Sequence, residues 1–304
     1  MIARISQAQA DEAAASAASF WPTFGRRWPW TRAPELAPVY QRAGEVTVAL
    51  LRAFPGIQWS NQARWYQRDV RDTPAIIALT PEALRTEIGA VTSGISARAA
   101  EGKQIVSLIY LPDRDTPPDA APSVAGADSE PPVARTLLAT TALDAPYYAA
   151  QLAHELLNCF CHTAWDGQTI RSGLRQAADT PAGGPGTATK AAAEPGAALN
   201  DLLLDAMLVH FLPAVGAASS TDLFDGAQGP YWRLARTLAS RLRGVPALPA
   251  LFSGEPDALP RFQRGLALAL DLADAARELD ALATAHDWAA LRRALGPEDE
   301  PEDA

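Results

Sequence analysis

Leu199-Asn-Asp-Leu-Leu-Leu-Asp-Ala-Met-Leu-Val-His-Phe-Leu212 is apolar almost all the way round. A helix with that pattern is buried on all sides. It nevertheless carries Asp201 and Asp205, four residues apart and therefore on one face. A buried carboxylate is costly unless it is paired or bound to a metal. A partner is expected on a second helix, in Ala153-His-Glu-Leu-Leu-Asn158. The two helices should pack together and bring His154 close to Asp201 or Asp205.

The rest of the chain bounds what such a site can serve. With 304 residues there is room for one large domain or two small ones. The formal net charge of −9 argues against a nucleic-acid partner or an anionic membrane surface, since both need a basic patch. No long charge-free apolar stretch predicts a membrane span. The N-terminal residues lack the apolar core of a signal peptide. The two cysteines, Cys159 and Cys161, are too close along one expected helix to pair with each other. A cytoplasmic, reducing setting is therefore the expectation. Both thiols read as small buried groups, with metal ligation the lesser alternative.

Outward from the two helices, the pattern predicts an α+β fold that is mostly helical. An N-terminal arm of residues 1–33 includes the aromatic stretch Phe20 to Trp30, read as wrapping against the core, with a lid or a partner contact as alternatives. An α+β part over 34–165 should hold helices at 35–54 and from Thr80 to about Ala100. Strands are expected around 62–66, 75–79, 104–111 and 135–142. The helix carrying His154 should start at Asp144-Ala-Pro and run to about 165. Low-complexity loops fill 112–133 and 177–196. The remaining part, 166–296, should be helical, with helices at 197–212, 229–243, 258–283 and 286–295. An acidic tail, 297–304, closes the chain.

The order of these elements, the His-Glu helix and the acidic helix after it resemble the gluzincin branch of zinc-dependent metallopeptidases, the thermolysin-like group. In that group a HExxH helix supplies two histidines and a glutamate, and a second helix supplies an acidic ligand. The resemblance runs over about 134–212 and implies a zincin-like fold, with a small sheet and edge strand ahead of the active-site helix. It places His154 as first ligand, Glu155 as the general base on metal-bound water, Asp201 as third ligand, and Asp205 behind His154 to orient it. It implies zinc as the cofactor. It also implies a peptide or protein held in a groove beside strand 135–142 by strand addition.

The chain departs from the family pattern at three places. Asn158 stands in the second histidine's position, and a neutral amide is a poor zinc ligand. Asp201 replaces the commoner glutamate, and Leu204 precedes Asp205 where Ser or Thr is usual. His162 lies on the same face as His154, but two helical turns, about 12 Å, separate them. His210 reads as structural, His286 as a surface residue. Arg233, Arg236, Arg241 and Arg243 read as a solvated helix face, with phosphate binding as the lesser alternative.

Three readings follow. In one, the chain is an active zinc-dependent peptidase using His154, Asp201 and Asn158 on the metal with Glu155 activating water. In a second, it is a binding or interaction protein that keeps the fold and groove but, without the second histidine, holds metal weakly or not at all, and His154 and Asp205 survive as a buried pair. A third, a plain helical scaffold, makes the acidic stripe accidental. Asn158 favours the second.

Overall fold

The computed structural model describes residues 49–50, 53–54, 56–57, 60, 76–90, 104–110, 133–139, 148–166, 169–178, 194–214, 223–226 and 228–297. The expected N-terminal arm, the strand at 62–66, the Asp144-Ala-Pro start, and most of the 35–54 helix, of the two loops and of the acidic tail lie outside these residues.

The described chain is mostly helical with two small sheets, as an α+β pattern requires. Strand β1 (Ile76–Leu79) leads into helix α1 (Pro81–Ala90), followed by strands β2 (Ile105–Tyr110) and β3 (Val133–Ala139). Thr80 caps α1: its Oγ1 accepts from the Ala83 N–H at 3.2 Å, and Pro81 fills a first-turn position where no donor is needed.

The three strands form a mixed sheet in the order β1-β3-β2. β3 runs parallel to β1 over Thr136–Ala139 and antiparallel to β2 over Val133–Leu138. This corrects the expected edge strand at 135–142. Over Thr136–Leu138 the backbone of β3 faces a neighbour on each side, so no peptide can add there. The last three expected strand residues, 140–142, lie outside the described residues.

Helix α2 (Tyr148–Phe160) carries His154 and packs on β2 and β3. Leu152, Ala153, Leu156, Leu157 and Phe160 are buried in the core. Fully burying each leucine contributes about 1.5–3 kcal/mol. The helix stops at Phe160, short of the expected 165. Strands β4 (Thr163–Trp165), β5 (Thr169–Ser172) and β6 (Arg175–Ala178) follow at once as an antiparallel meander. The expected all-helical part after 165 therefore opens on strands. Thr163, Ile170 and Ser172 are buried while their neighbours are only half-buried, the alternation that a one-sided strand shows.

Helix α3 (Ala197–Ala214) contains the apolar segment Leu199 to Leu212, and residues 202–209 are all buried. It packs against α2, α4 (Gly229–Arg241) and α7 (Ala275–Thr284). A short helix, α5 (Ala247–Phe252), was not expected. The single helix expected at 258–283 is two, α6 (Ala258–Leu270) and α7. Asp271 ends α6 in the left-handed region, φ 53°, with the Leu272 N–H returning to Ala267 O at 3.1 Å. Asp tolerates that conformation better than most residues. Helix α8 (Trp288–Leu295) follows, capped by Asp287, whose Oδ1 accepts from the Ala290 N–H at 2.9 Å. One hydrophobic core runs through the described chain from Ala49 to Leu295. Among the described residues no helix is long and apolar enough to cross a membrane.

The arginines of α4 correct another expectation. Arg233 donates to Phe224 O at 2.7 Å, Arg236 stacks its guanidinium 4.5 Å from the Phe224 ring centre, and Arg241 donates to Leu295 O at 3.0 Å. These three tie α4 to its neighbours; Arg243 is exposed.

Candidate functional site

His154 faces α3 across the α2–α3 contact. Its Nδ1 donates to Asp205 Oδ1 at 2.8 Å, and its Nε2 lies 3.6 Å from Asp201 Oδ1. One imidazole thus spans the helical turn that separates the two aspartates, the pairing that two carboxylates on an apolar helix demand. Burial opposes its charged form, but the carboxylates of Asp205 and Asp201 outweigh that and hold the imidazole well above the usual histidine range.

Asp205 is buried and takes a second donor. Tyr231 of α4 donates its hydroxyl to Asp205 Oδ2 at 2.6 Å. Burial and the adjacent Asp205 push the phenol well above its usual range, so it stays a donor. Both carboxylate oxygens are then satisfied, as burial requires.

Asp201 is paired as well. The guanidinium of Arg175, at the start of β6, contacts its Oδ1 through Nη2. This oxygen is the one that faces His154 Nε2. The arginine side chain is only 12% exposed, against 38% for Asp201. Burial lowers its basicity, but Asp201, then Glu155, outweigh this and hold the guanidinium firmly charged.

Glu155 points to the sheet. Its Oε2 accepts from the Ser107 backbone N–H at 2.9 Å. In β2 the Gln104–Ala139 pair is hydrogen-bonded, since Ala139 N donates to Gln104 O at 2.7 Å. Pairs alternate along an antiparallel ladder, so Ser107 presents its N–H away from β3, on the outer edge of the sheet. The carboxylate caps that edge. The Glu155 carbonyl also receives the hydroxyls of Ser107 and Thr136.

Asn158, one turn after His154, is buried and accepts from Asn200 Nδ2 at 3.3 Å through Oδ1. Asn200 Oδ1 in turn accepts from Leu174 N–H at 3.1 Å. Leu174 belongs to the two-residue turn between β5 and β6, with Gly173 at φ +58°. A Cβ at 173 would come within 2.4 Å of Asn200 Oδ1, so the close approach needs glycine there.

The sequence-derived residues thus converge in part. His154, Asp201 and Asp205 meet; Glu155 and Asn158 lie beside them but are turned to Ser107 and Asn200. His162 is not part of the cluster. It follows the end of α2, and its ring lines a small cavity with Arg171, Ser253 and Gly254. His210 is half-buried, and His286 is exposed with its ring 5.3 Å from Trp288. Cys159 donates its thiol to Ala134 O at 3.1 Å, and burial pushes the Cys161 thiol up to about 12. Both are buried thiols outside any disulfide, as small core residues. Sequence reasoning missed Arg175, Tyr231, Asn200 and Ser107. Ser172-Gly173 is a turn signal between β-rich runs and would have placed Arg175 at the head of a hairpin strand.

The 3.6 Å between His154 Nε2 and Asp201 Oδ1 suits two ligands about 2 Å from one zinc. The remaining positions do not suit it. Asn158 is held by Asn200, and Asp201 Oδ1 already meets a guanidinium. Among the described residues no three His, Cys, Asp or Glu side chains are grouped to hold a metal. No family model matches the chain, and no curated protein or solved structure matches it.

Proposed function

We propose that this chain is a zincin-like relative of the metallopeptidases in which the metal site has become a closed network of ion pairs and hydrogen bonds, and that it binds a peptide or protein rather than cleaving it. One observation carries the reading: each side chain at a ligand or base position is committed to another protein group. His154 serves Asp205, Asp201 serves Arg175, Glu155 serves Ser107 and Asn158 serves Asn200. A general base must be free to reach its proton, and a ligand must be free to reach its metal.

A second reading, an active zinc-dependent peptidase with Glu155 as general base, draws on the ligand-like spacing of His154 and Asp201 and on Asp205 behind the imidazole. The two readings part on one assay. Wild-type protein is mixed with unfolded peptides, with and without added zinc, beside Glu155→Gln. The binding reading expects no cleavage by either protein and a change only in stability for the variant. Zinc-dependent cleavage by the wild type that Glu155→Gln abolishes would replace it with the peptidase reading.

A further inference from the structure

We propose that Arg175 is a resident cation occupying the place of a metal between His154 and Asp201, so that Arg175 and zinc exclude each other. The inference rests on the zincin-like reading of the site and adds a reason for its departures.

Three observations support it. The guanidinium meets Asp201 on the same oxygen, Oδ1, that faces His154 Nε2. A metal bridging those two atoms would have to share that oxygen with a positive charge held in direct contact with it, which repels a second cation at such short range. The arginine side chain is itself held in the fold, only 12% exposed. One positive group therefore already neutralises the acid that the family pattern would direct at a metal.

The third observation links Arg175 to Asn158. Asn158 holds Asn200, Asn200 holds the Leu174 N–H, and Leu174 directly precedes Arg175. The amide in the second histidine's position thus helps fix the turn that delivers the arginine. Asn158 is thus linked through Asn200 to the residue beside Arg175. An imidazole at 158 would be a better ligand, but it would arrive with the arginine still in place.

The test uses zinc itself and full-length protein. Zinc affinity is measured by chelator competition for the wild type, Asn158→His, Arg175→Met and the double variant. Asn158→His alone should bind little better than the wild type. The double variant should bind zinc about 10–100-fold more tightly than Asn158→His. Arg175→Lys combined with Asn158→His, which keeps a cation at 175, should stay weak. Equal affinity for Asn158→His and the double variant, or no binding by either, would overturn the proposal. If the double variant unfolds, refolding in zinc should restore its helical circular dichroism, one cation replacing another; no restoration overturns the proposal equally. Zinc-dependent cleavage by the wild type would instead defeat the functional reading, a different result from a different protein.

Discussion

Asp205 stands between two donors, Tyr231 and His154, and each makes its own prediction. Tyr231→Phe removes only the hydroxyl and leaves Asp205 Oδ2 buried without its 2.6 Å partner. Urea unfolding should show a loss of about 1–3 kcal/mol, the cost of stranding a buried acceptor. No measurable loss would mean that water reaches Asp205. For His154 the folded pKa lies well above the reference of 6.5. The stabilisation it brings is complete below that pH and fades as pH rises through the folded value, because the folded state binds the proton more tightly than the unfolded chain. Wild-type stability should therefore fall from about pH 6.5 upward more steeply than that of His154→Gln. Parallel pH profiles for the two proteins would show that the imidazole is not held charged. The meeting of His154 with Asp205 was legible in the sequence, because the cost of burying that carboxylate demanded a partner; Asp201, 38% exposed, joins it from the next turn of the same face. Tyr231 and Arg175 were not. A hydroxyl or guanidinium that reaches the cluster from a separate element leaves no periodic trace.

At the scale of elements, α3 owes its position to a carboxylate from another helix. Asp280 of α7 accepts from Gly196 N–H at 2.8 Å and from Leu199 N–H at 3.0 Å. It thereby satisfies two of the donors that open a helix and sets a negative charge against the positive end of its dipole. Asp280→Ala should cost about 1–2 kcal/mol, with Asp280→Asn between it and the wild type. Chemical denaturation of the three proteins checks the order; equal midpoints would remove the cap from the account. The helices α3, α4 and α8 were legible from apolar spacing and breakers. The β4–β5–β6 meander was not, because three- and four-residue strands are too short to display a period. The place of β3 inside the sheet was not legible either: strand order depends on pairing between segments far apart in sequence, and the run 135–142 reads the same at an edge or in the middle.

For the whole molecule, the expected division near residue 165 cuts through a continuous structure. β4 lies before that point and pairs with β5 after it, and α2 packs on α3 across it. A fragment of residues 166–296 should fail to fold alone, since it exposes the apolar face of α3 and strands Asp205 without His154. Circular dichroism and amide-proton dispersion check this; a cooperatively folded fragment would show that α2 is dispensable to the helical part. The charge of −9 and the mostly helical composition were readable directly and fixed the broad class. The continuity of the core was not, because composition shows where chain segments change character and not where they touch.

The two thiols give this molecule an internal clock. Cys159 lies against β3 through Ala134 O, and Cys161 lies against the Gly173 turn, two residues away in the chain. Both are buried in the folded protein, and burial pushes the Cys161 thiol up to about 12, which disfavours the reactive thiolate there. Alkylation at pH 8, read at each sulfur by mass spectrometry, thus reports how often each side of α2 opens. If the sheet side and the arginine side breathe together, both sulfurs label at one rate. If the network around Arg175 loosens by itself, Cys161 labels first, with no engineered probe.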